Sequence, residues 1–386
     1  MRIFTLLLLA TTALAPASGQ STKDVDITTP DGARLRGTFY AAAKPGPAVI
    51  LLHMCNTDRR SWSPVAQQLA ANGINALTID NRGFGESSGS NYGKATAEER
   101  RETIKRWPGD FDAAYAFLLA QPGVEKNHIA AGGGSCGVNN AVQLAMRHPE
   151  IQTLALLAGE TDPAGISYLV DHPQIALFTA AAADDQYYSA APQLMKWIRD
   201  LSSNARSEFV GFANGKHGTE IFGPHPELVS DIVQFFTGAL EPGPARPPGS
   251  LQNSAASEFW KTARTSGGAA RAAQMYRDDR KRDSTAYLPE PLVNTLGYTR
   301  LQADDAHAKE DGLELLKLNT EIYPNSANAF DSLSDAYLAL GKKDLALQAE
   351  RKCLDLLPAD RSEAEFKADL KKHAEEKVAE LERQAK

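Results

Sequence analysis

Residues 128–147 read HIAAGGGSCGVNNAVQLAMR, and no other part of the chain constrains the fold as strongly. An apolar strand-like segment leads into Gly133-Gly134-Ser135-Cys136-Gly137, and a helix-like segment follows. The five residues fit the pattern G-x-S-x-G. A serine in a strained strand-to-helix turn needs small neighbours, and the turn lifts its hydroxyl above the sheet. The setting therefore predicts that Ser135 is a nucleophile.

Strand-like and helix-like segments alternate from residue 24 to about residue 238. Short apolar strands are predicted at 25–28, 34–40, 48–52, 74–79, 128–131, 154–158, 175–180 and 208–212. Helical spacing of apolar residues is found at 62–69, 111–119 and 141–146. Such alternation predicts an α/β fold with a doubly wound, mostly parallel sheet and helices on both faces.

The composition excludes several classes of protein. The chain has 386 residues, of which 42% are hydrophobic and 23% charged, and its formal net charge is −7. These values are typical of a globular protein of two or three domains and not of a disordered chain. A mildly acidic chain has no general electrostatic affinity for nucleic acid. Three cysteines without a CxxC pair predict no zinc site. We expect no metal, organic cofactor or nucleic-acid partner.

The N-terminus has the pattern of a signal peptide. Met1-Arg2 precedes an apolar run from Ile3 to Ala15, which is shorter than the ~20 residues needed to span a bilayer as a helix. Small residues follow, and cleavage after Ala17 or Gly19 fits an A-x-A-like site. We therefore predict a signal peptide over residues 1–19, export to a periplasm or beyond, and no stable membrane insertion.

A proline-rich stretch divides the rest of the chain. The predicted catalytic domain covers residues 24–238, and residues 239–251 have the composition of a Pro/Gly-rich linker. Residues 252–386 are more charged and helical in pattern, which predicts an all-α tail.

The tail contains a repeat of 34 residues. Pro324 and Pro358 are 34 residues apart, which is the period of a tetratricopeptide helix pair. We predict two tetratricopeptide-like repeats over about 290–358, with a capping helix from Ser362 onward. Three residues depart from the usual repeat pattern: Gly312, Ser334 and Glu350.

A nucleophilic serine needs a base and an orienting acid, in the chain order serine, acid, histidine for this architecture. His217 follows the predicted strand 208–212 and precedes the linker, so it is the predicted base. The acid should follow the preceding strand, where Asp184 and Asp185 are adjacent. We prefer Asp185, because one more loop residue helps its side chain turn back; Asp184 is the alternative.

Two backbone N–H groups are needed to hold the oxyanion. One comes from Cys136, the residue after the nucleophile. The other comes from the loop after the strand 48–52, where Cys55 is the preferred donor and Met54 the alternative. His53 begins this loop and is predicted to be a packed, hydrogen-bonded histidine rather than a base.

These pieces resemble the α/β-hydrolase superfamily, near the dienelactone-hydrolase-like esterases. The resemblance covers roughly residues 25–237 and rests on these segments: 52–55 (LHMC), 80–87 (DNRGFGES), 133–137 (GGSCG), 184–185 (DD) and 216–218 (KHG). The family usually has His-Gly where this chain has His53-Met54, so the methionine is expected to narrow the pocket or shift the oxyanion donor. The tail resembles tetratricopeptide-like tails of some exported bacterial hydrolases.

The two cysteines at the oxyanion site leave two interpretations open. Because Cys55 and Cys136 would both donate to one oxyanion, their backbones must be close, and an exported protein could bridge them. Alternatively, both are small buried side chains that line the site. Cys136 as the nucleophile fits less well, because Val138 stands where the pattern requires glycine.

The sequence therefore predicts an exported serine hydrolase that cleaves carboxylic esters through an acyl-enzyme. A peptidase or an acyltransferase on the same fold is the nearest alternative, so the substrate is a small ester or a peptide. A second alternative is a protein that binds a partner through the tail, with an inactive hydrolase domain. Ala158 and Ile175 are 17 residues apart, which leaves room for one short helix but not for a cap domain, so we expect a site that is open or covered only by loops. The tail is expected to dock on the hydrolase domain, on another copy or on a partner protein.

Overall fold

The computed structural model describes residues 21–188, 190–240, 254–360 and 364–384. The predicted signal peptide, residues 1–19, and the linker from residue 241 lie outside the described residues. Within the described ranges, no helix combines the length and the apolar character needed to cross a membrane.

Eight strands form one sheet in the order β1-β2-β4-β3-β5-β6-β7-β8. Their bounds are β1 Ser21–Thr28, β2 Arg34–Ala41, β3 Gly46–Leu52, β4 Asn75–Ile79, β5 Val124–Gly134, β6 Thr153–Leu157, β7 Ala176–Ala182 and β8 Glu208–Phe212. Strand β2 is antiparallel to β1 and β4, and the pairs from β4 to β8 are parallel. The chain therefore has the predicted α/β-hydrolase fold.

Helices cover both faces of the sheet. Their bounds are α1 Ser63–Ala71, α2 Ala97–Leu119, α3 Cys136–Arg147, α4 Pro163–Asp171, α5 Ala191–Arg199 and α6 Glu227–Leu240. Neighbouring residues of β3 alternate between the two cores: Ile50 packs with α2, α3, α4 and α5, while Val49 and Leu51 pack with α1 and α6. Both faces of β3 are buried, which is why it reads as a continuous apolar run.

Helix α2 is longer than the predicted helix over 111–119. It begins at Ala97 behind a capping box in which Thr96 accepts the Glu99 backbone N–H and Glu99 accepts the Thr96 N–H. The Thr-x-x-Glu pattern satisfies two end groups of the helix and was the sequence signal for this start. The extra turns carry Ile104 and Trp107 towards the site.

Seven helices follow in the described part of the C-terminal segment. They are α7 Ala255–Ala263, α8 Ala269–Arg282, α9 Glu290–Leu301, α10 Ala308–Ile322, α11 Ala327–Ala339, α12 Lys343–Leu356 and α13 Ala364–Gln384. Chain neighbours pack in the pairs α7/α8, α9/α10 and α11/α12, and α13 packs on α12. An all-α tail is therefore present, and its tetratricopeptide character stays a prediction.

The tail docks on the hydrolase domain. Trp260 of α7 donates its indole N–H to Ser167 Oγ of α4 at 3.0 Å and meets the Trp197 ring of α5 edge-on. Arg264 forms an ion pair with Asp171 at the end of α4. The buried residues of α7 and α9 belong to the same hydrophobic core as α4 and α5. Docking on the hydrolase domain was one of the arrangements expected from the sequence.

Candidate active site

Ser135 lies at the turn between β5 and α3 in a strained backbone conformation, with φ 53° and ψ −125°. Its N–H donates to Leu157 O at 2.9 Å, which ties the turn to β6. A Cβ on Gly133 would collide with the Gly137 carbonyl, and one on Gly137 with the Leu52 carbonyl. Both glycines of the motif are therefore required by close backbone packing, and the serine occupies a conformation rare for a residue with a side chain.

His217 and Asp185 form a buried pair. Nδ1 of His217 lies 2.7 Å from Oδ2 of Asp185, and the two residues are 7% and 6% exposed. Because the Asp185 carboxylate can only accept a hydrogen bond, Nδ1 of His217 carries the ring proton, and Nε2 is left as the acceptor. The loop reaches this arrangement through left-handed backbone at Lys216, φ 62°, and Gly218, φ 53°.

Asp184 points elsewhere. Its Oδ1 accepts the backbone N–H of Lys216 at 2.8 Å, so it fastens the histidine loop from outside. Asp185 also accepts the N–H groups of Tyr187 and Tyr188 through Oδ1. Of the two candidate acids, the structure thus brings the preferred Asp185 to the imidazole and leaves the alternative on the surface.

Ser135 and His217 line the same cavity. Among the described residues, no hydrogen bond joins the serine hydroxyl to the imidazole. Catalytic hydrogen bonds are often long without substrate and tighten in the complex. The Tyr187 ring meets the imidazole edge-on at 4.7 Å between centroids, which restricts the histidine on its exposed side.

The two predicted oxyanion donors are covalently linked. Cys55, in the loop after β3, and Cys136, the first residue of α3, form a disulfide with their Cα atoms 5.9 Å apart. Both residues line the cavity beside Ser135. Of the two interpretations left open by the sequence, the structure has the bridge, and the Cys136 sulfur is not a free nucleophile.

Met54 does not narrow the pocket. Its side chain is fully buried, lies beneath Gly134 and Gly218, and its Sδ accepts the Thr219 N–H at 3.4 Å. The expectation that Met54 narrows the pocket was wrong, because its side chain is buried beneath the strand-to-helix turn that carries Ser135. It supports the nucleophile and histidine loops from below.

His53 is a structural histidine, as predicted. Its Nε2 accepts the Asn81 N–H at 2.9 Å, so the proton sits on Nδ1, which donates to Met54 O at 2.6 Å. Burial lowers the pKa of His53 and keeps the ring neutral. The ring joins the loop after β3 to the one after β4.

The cavity around the serine has a volume of about 720 Å³ and is bounded on one side by the tail. Pro291, Leu292 and Thr295 of α9 line it together with Ser135 and His217. The expectation of a site that is open or covered only by loops was therefore wrong, because a helix of the tail forms one of its walls. The insertion between β6 and β7 is short, as expected, and holds only α4 between Ala158 and Ile175. The cover comes from a segment more than 100 residues further along the chain, which no local spacing could predict.

Glu160 is a cavity residue that the sequence reasoning missed. The surrounding protein raises the pKa of its carboxyl through desolvation, and no other described residue gives it a hydrogen bond or ion pair. It follows the end of β6, and ligands bind beside the carboxyl ends of parallel strands. Its position just after a predicted strand was the sequence signal that could have identified Glu160 as a cavity residue. In the described ranges, no cluster of three or more His, Cys, Asp or Glu side chains is arranged to hold a metal ion.

Comparisons with known proteins agree with this fold. Residues 43–208 match the family model of Hydrolase_4, described as serine aminopeptidase, S33; the match includes Ser135 and Asp185 and ends before His217. The thiohydrolase aneE of Aspergillus aculeatus is 27% identical over 55% of this chain and 65% of its own length. The polyketide transferase grgF of a Penicillium species is 28% identical over 39% of this chain and 49% of its own length.

Among solved structures, the esterase Pf2001 of Pyrococcus furiosus aligns with a TM-score of 0.46 and 20% identity, over 57% of this chain and 94% of that one. The chain spans less than two thirds of the length of both curated relatives. The family match supports a serine-hydrolase-like α/β fold, and the relatives' names describe those proteins only.

Proposed function

We propose that this protein is a serine hydrolase that cleaves a carboxylic ester or thioester through an acyl-enzyme. The observation that carries the proposal is the strained Ser135 in one cavity with His217, whose proton-bearing Nδ1 is held 2.7 Å from Asp185. A hydrolase family match and the thiohydrolase relative support the reaction class.

In the first half of the reaction, the Ser135 hydroxyl oxygen attacks the carbonyl carbon while Nε2 of His217 takes its proton. The backbone N–H groups of Cys136 and Cys55 hold the developing oxyanion. The bond to the leaving alcohol or thiol breaks, and His217 returns the proton to that group. Water then repeats the sequence on the acyl-enzyme, which releases the acid and restores Ser135.

Hydrolysis assays test this proposal directly. The assays use purified wild type, Ser135→Ala and, as a control, Ser90→Ala at an exposed serine. The substrates are p-nitrophenyl acetate, an acetyl thioester and alanine p-nitroanilide. We expect ester or thioester turnover in wild type and Ser90→Ala, and a loss of about 10³-fold or more in Ser135→Ala. Undiminished turnover in folded Ser135→Ala would contradict the proposal.

A second candidate is an aminopeptidase, which Glu160 favours. An unpaired carboxylate in a cavity binds a substrate ammonium group well, since the pair compensates two desolvated charges. In that case the anilide is the best of the three substrates. Glu160→Gln would then lower turnover of the anilide but not of acetylated alanine p-nitroanilide, whose nitrogen is uncharged.

We also propose that the protein works after export. The signal-peptide pattern at the N-terminus and the disulfide between Cys55 and Cys136 support this proposal, because disulfides persist in oxidising compartments. Mass spectrometry of the protein from its native host tests it: a mature N-terminus near residue 18 or 20 is expected. An intact Met1 in the mature protein would contradict export by cleavage.

A further inference from the structure

Helix α9 of the tail is part of the catalytic cavity rather than a distant appendage. Pro291, Leu292 and Thr295, on the first turns of α9, line the cavity that also holds Ser135 and His217. A substrate that fills this cavity therefore contacts this helix.

The helix is fixed in place. Leu292, Val293 and Leu296 are 1–3% exposed and belong to the same core as Leu194 and Met195 of α5. The Tyr287 hydroxyl, just before α9, lies 3.4 Å from the Tyr188 hydroxyl beside the site. These contacts pack α9 against the hydrolase domain, where it forms one wall of the cavity.

The back of α9 is held equally closely. A Cβ on Gly297 would meet the Leu316 side chain of α10, and one on Gly312 would meet the Leu301 side chain and the Gly297 carbonyl. The two glycines therefore let α9 and α10 approach closely, so that α10 supports the wall from behind. Gly312, which departs from the repeat pattern, is explained by this contact.

The cavity that α9 helps to line is mainly apolar. Its lining includes six hydrophobic or aromatic side chains from the hydrolase domain: Tyr92, Ile104, Trp107, Tyr188, Ala191 and Leu194. The ionisable Glu160 carboxyl is the acidic group without a partner there, and it disfavours an anionic ligand. Such a wall is complementary to an uncharged aliphatic or aromatic group, whose transfer from water is favourable.

We infer that α9 is the specificity wall of the site: it receives an uncharged apolar group of the substrate, and Thr295 sets how large that group can be. The inference rests on the proposed function. The apolar group is either the acyl chain or the alcohol of the ester, since both chemistries fit the same surface, and the experiment distinguishes them.

The helix offers a matched pair of variants. Thr295 and Thr299 are both exposed, one turn apart on α9, and each hydroxyl donates to the carbonyl four residues earlier at 2.8 Å. Thr295 lines the cavity, and Thr299 does not. Thr295→Trp therefore puts a bulky ring at the wall, and Thr299→Trp makes the same change of side chain away from it.

The first measurement is kcat/KM on two ester series. The acyl series is p-nitrophenyl acetate and octanoate, and the alcohol series is ethyl and octyl acetate. Because each buried methylene is worth about fourfold in binding, we expect Thr295→Trp to lose about tenfold or more on one eight-carbon ester. We expect less than about twofold loss on both short esters, and wild-type behaviour from Thr299→Trp. The series that loses activity identifies the group that α9 receives.

The second measurement does not depend on turnover. Calorimetric titration with octanamide and acetamide reports whether the cavity binds an uncharged eight-carbon chain. Wild type and Thr299→Trp should bind octanamide at least about tenfold more tightly than Thr295→Trp, and acetamide equally weakly.

Equal binding and equal chain-length profiles in all three proteins would overturn the inference, as would an equal loss on short and long esters in Thr295→Trp. Absence of turnover in wild type, with selective octanamide binding retained, would instead overturn the proposed function and leave the wall supported. Melting temperatures of the variants within a few degrees of wild type confirm that they are folded.

Discussion

At the level of single residues, two adjacent aspartates have different tasks. Asp185 is buried and accepts from the His217 imidazole and from two backbone N–H groups, whereas Asp184 accepts only the Lys216 N–H at the surface. Removing the charge of Asp185 destroys the preference for the Nδ1-protonated imidazole, because an amide no longer selects that tautomer.

Asp185→Asn should lower kcat by about 10³ to 10⁴, as expected for an orienting acid. Asp184→Asn should change kcat by less than about twofold, since it touches only a loop N–H at the surface. Steady-state assays on p-nitrophenyl acetate measure both, with circular dichroism to check folding. Similar losses in the two variants would show that neither aspartate is specifically the orienting acid.

The disulfide gives a prediction that needs no substrate. Denatured, unreduced protein should show one reactive thiol, that of Cys353, and reduced protein should show three. The bridge closes a loop over 81 positions, worth about 4–5 kcal/mol in the chain-entropy model. Urea unfolding of the Cys353→Ala variant should therefore shift to lower urea with reductant. Three thiols before reduction would contradict the bridge.

At the level of elements, the last helix is held by a buried charge cluster. Lys377 of α13 lies 2.8 Å from Asp331 and 2.7 Å from Asp335 of α11, and 3.5 Å from Glu350 of α12. Burial, with Asp331 adding to it and Lys377 opposing it, raises the pKa of Glu350 to about 8. Glu350, which departs from the repeat pattern, thus lies beside Lys377 of α13. Likewise Ser334, another of the three departures, donates its hydroxyl to Ala346 O of α12 at 3.0 Å.

The Glu350 carboxyl predicts a pH dependence of stability. The ordinary pKa of a glutamate carboxyl is 4.5 and the pKa of Glu350 in the folded protein is about 8, so the folded state binds more protons between these two pH values. Stability from this group is complete below about pH 4.5 and is lost as the pH rises towards 8. Glu350→Gln, which stays neutral, should make the unfolding free energy less dependent on pH in this window.

Urea unfolding at pH 5, 6.5 and 8 measures this effect. The control is Glu376→Gln, because Glu376 is exposed on α13 and should leave the wild-type pH dependence unchanged. Identical pH profiles for the two variants would show that Glu350 is ionised throughout and would contradict its raised pKa.

At the level of the whole molecule, the hydrolase domain and the tail share one core. Trp260, 1% exposed, packs between Trp197 of α5 and Ser167 of α4. The docked helices α7 and α9 therefore contribute to the stability of the catalytic domain as well as to its cavity.

Trp260→Ala should lower the free energy of unfolding by about 3–5 kcal/mol, because it leaves a large cavity at the junction. Phe366→Ala on α13, where the ring is 46% exposed, should cost less than about 0.5 kcal/mol. Thermal unfolding, followed by tryptophan fluorescence, compares the two. A fall confined to a separate tail transition, with the hydrolase transition unchanged, would contradict a shared core.

The parts of the fold predictable from sequence were those set by local patterns. The alternation of strands and helices gave the parallel sheet, and the glycines around Ser135 gave the strained turn, because each depends on neighbouring residues. The early start of α2 could have been predicted from the capping-box pattern of Thr96 and Glu99, but the prediction placed the helix start later. The position of α9 over the cavity was not predictable, since it results from packing between segments about 100 or more residues apart in the chain.

Fluorophosphonate labelling mapped by peptide mass spectrometry tests most directly whether Ser135 is an activated nucleophile. The reagent bonds covalently to an activated serine oxygen and needs no knowledge of the substrate. One modified residue, Ser135, is expected in wild type and in Ser90→Ala, with no modification at the site in Ser135→Ala. Folded wild type that stays unlabelled, or equal labelling of Ser135→Ala, would contradict the role of Ser135 as the nucleophile.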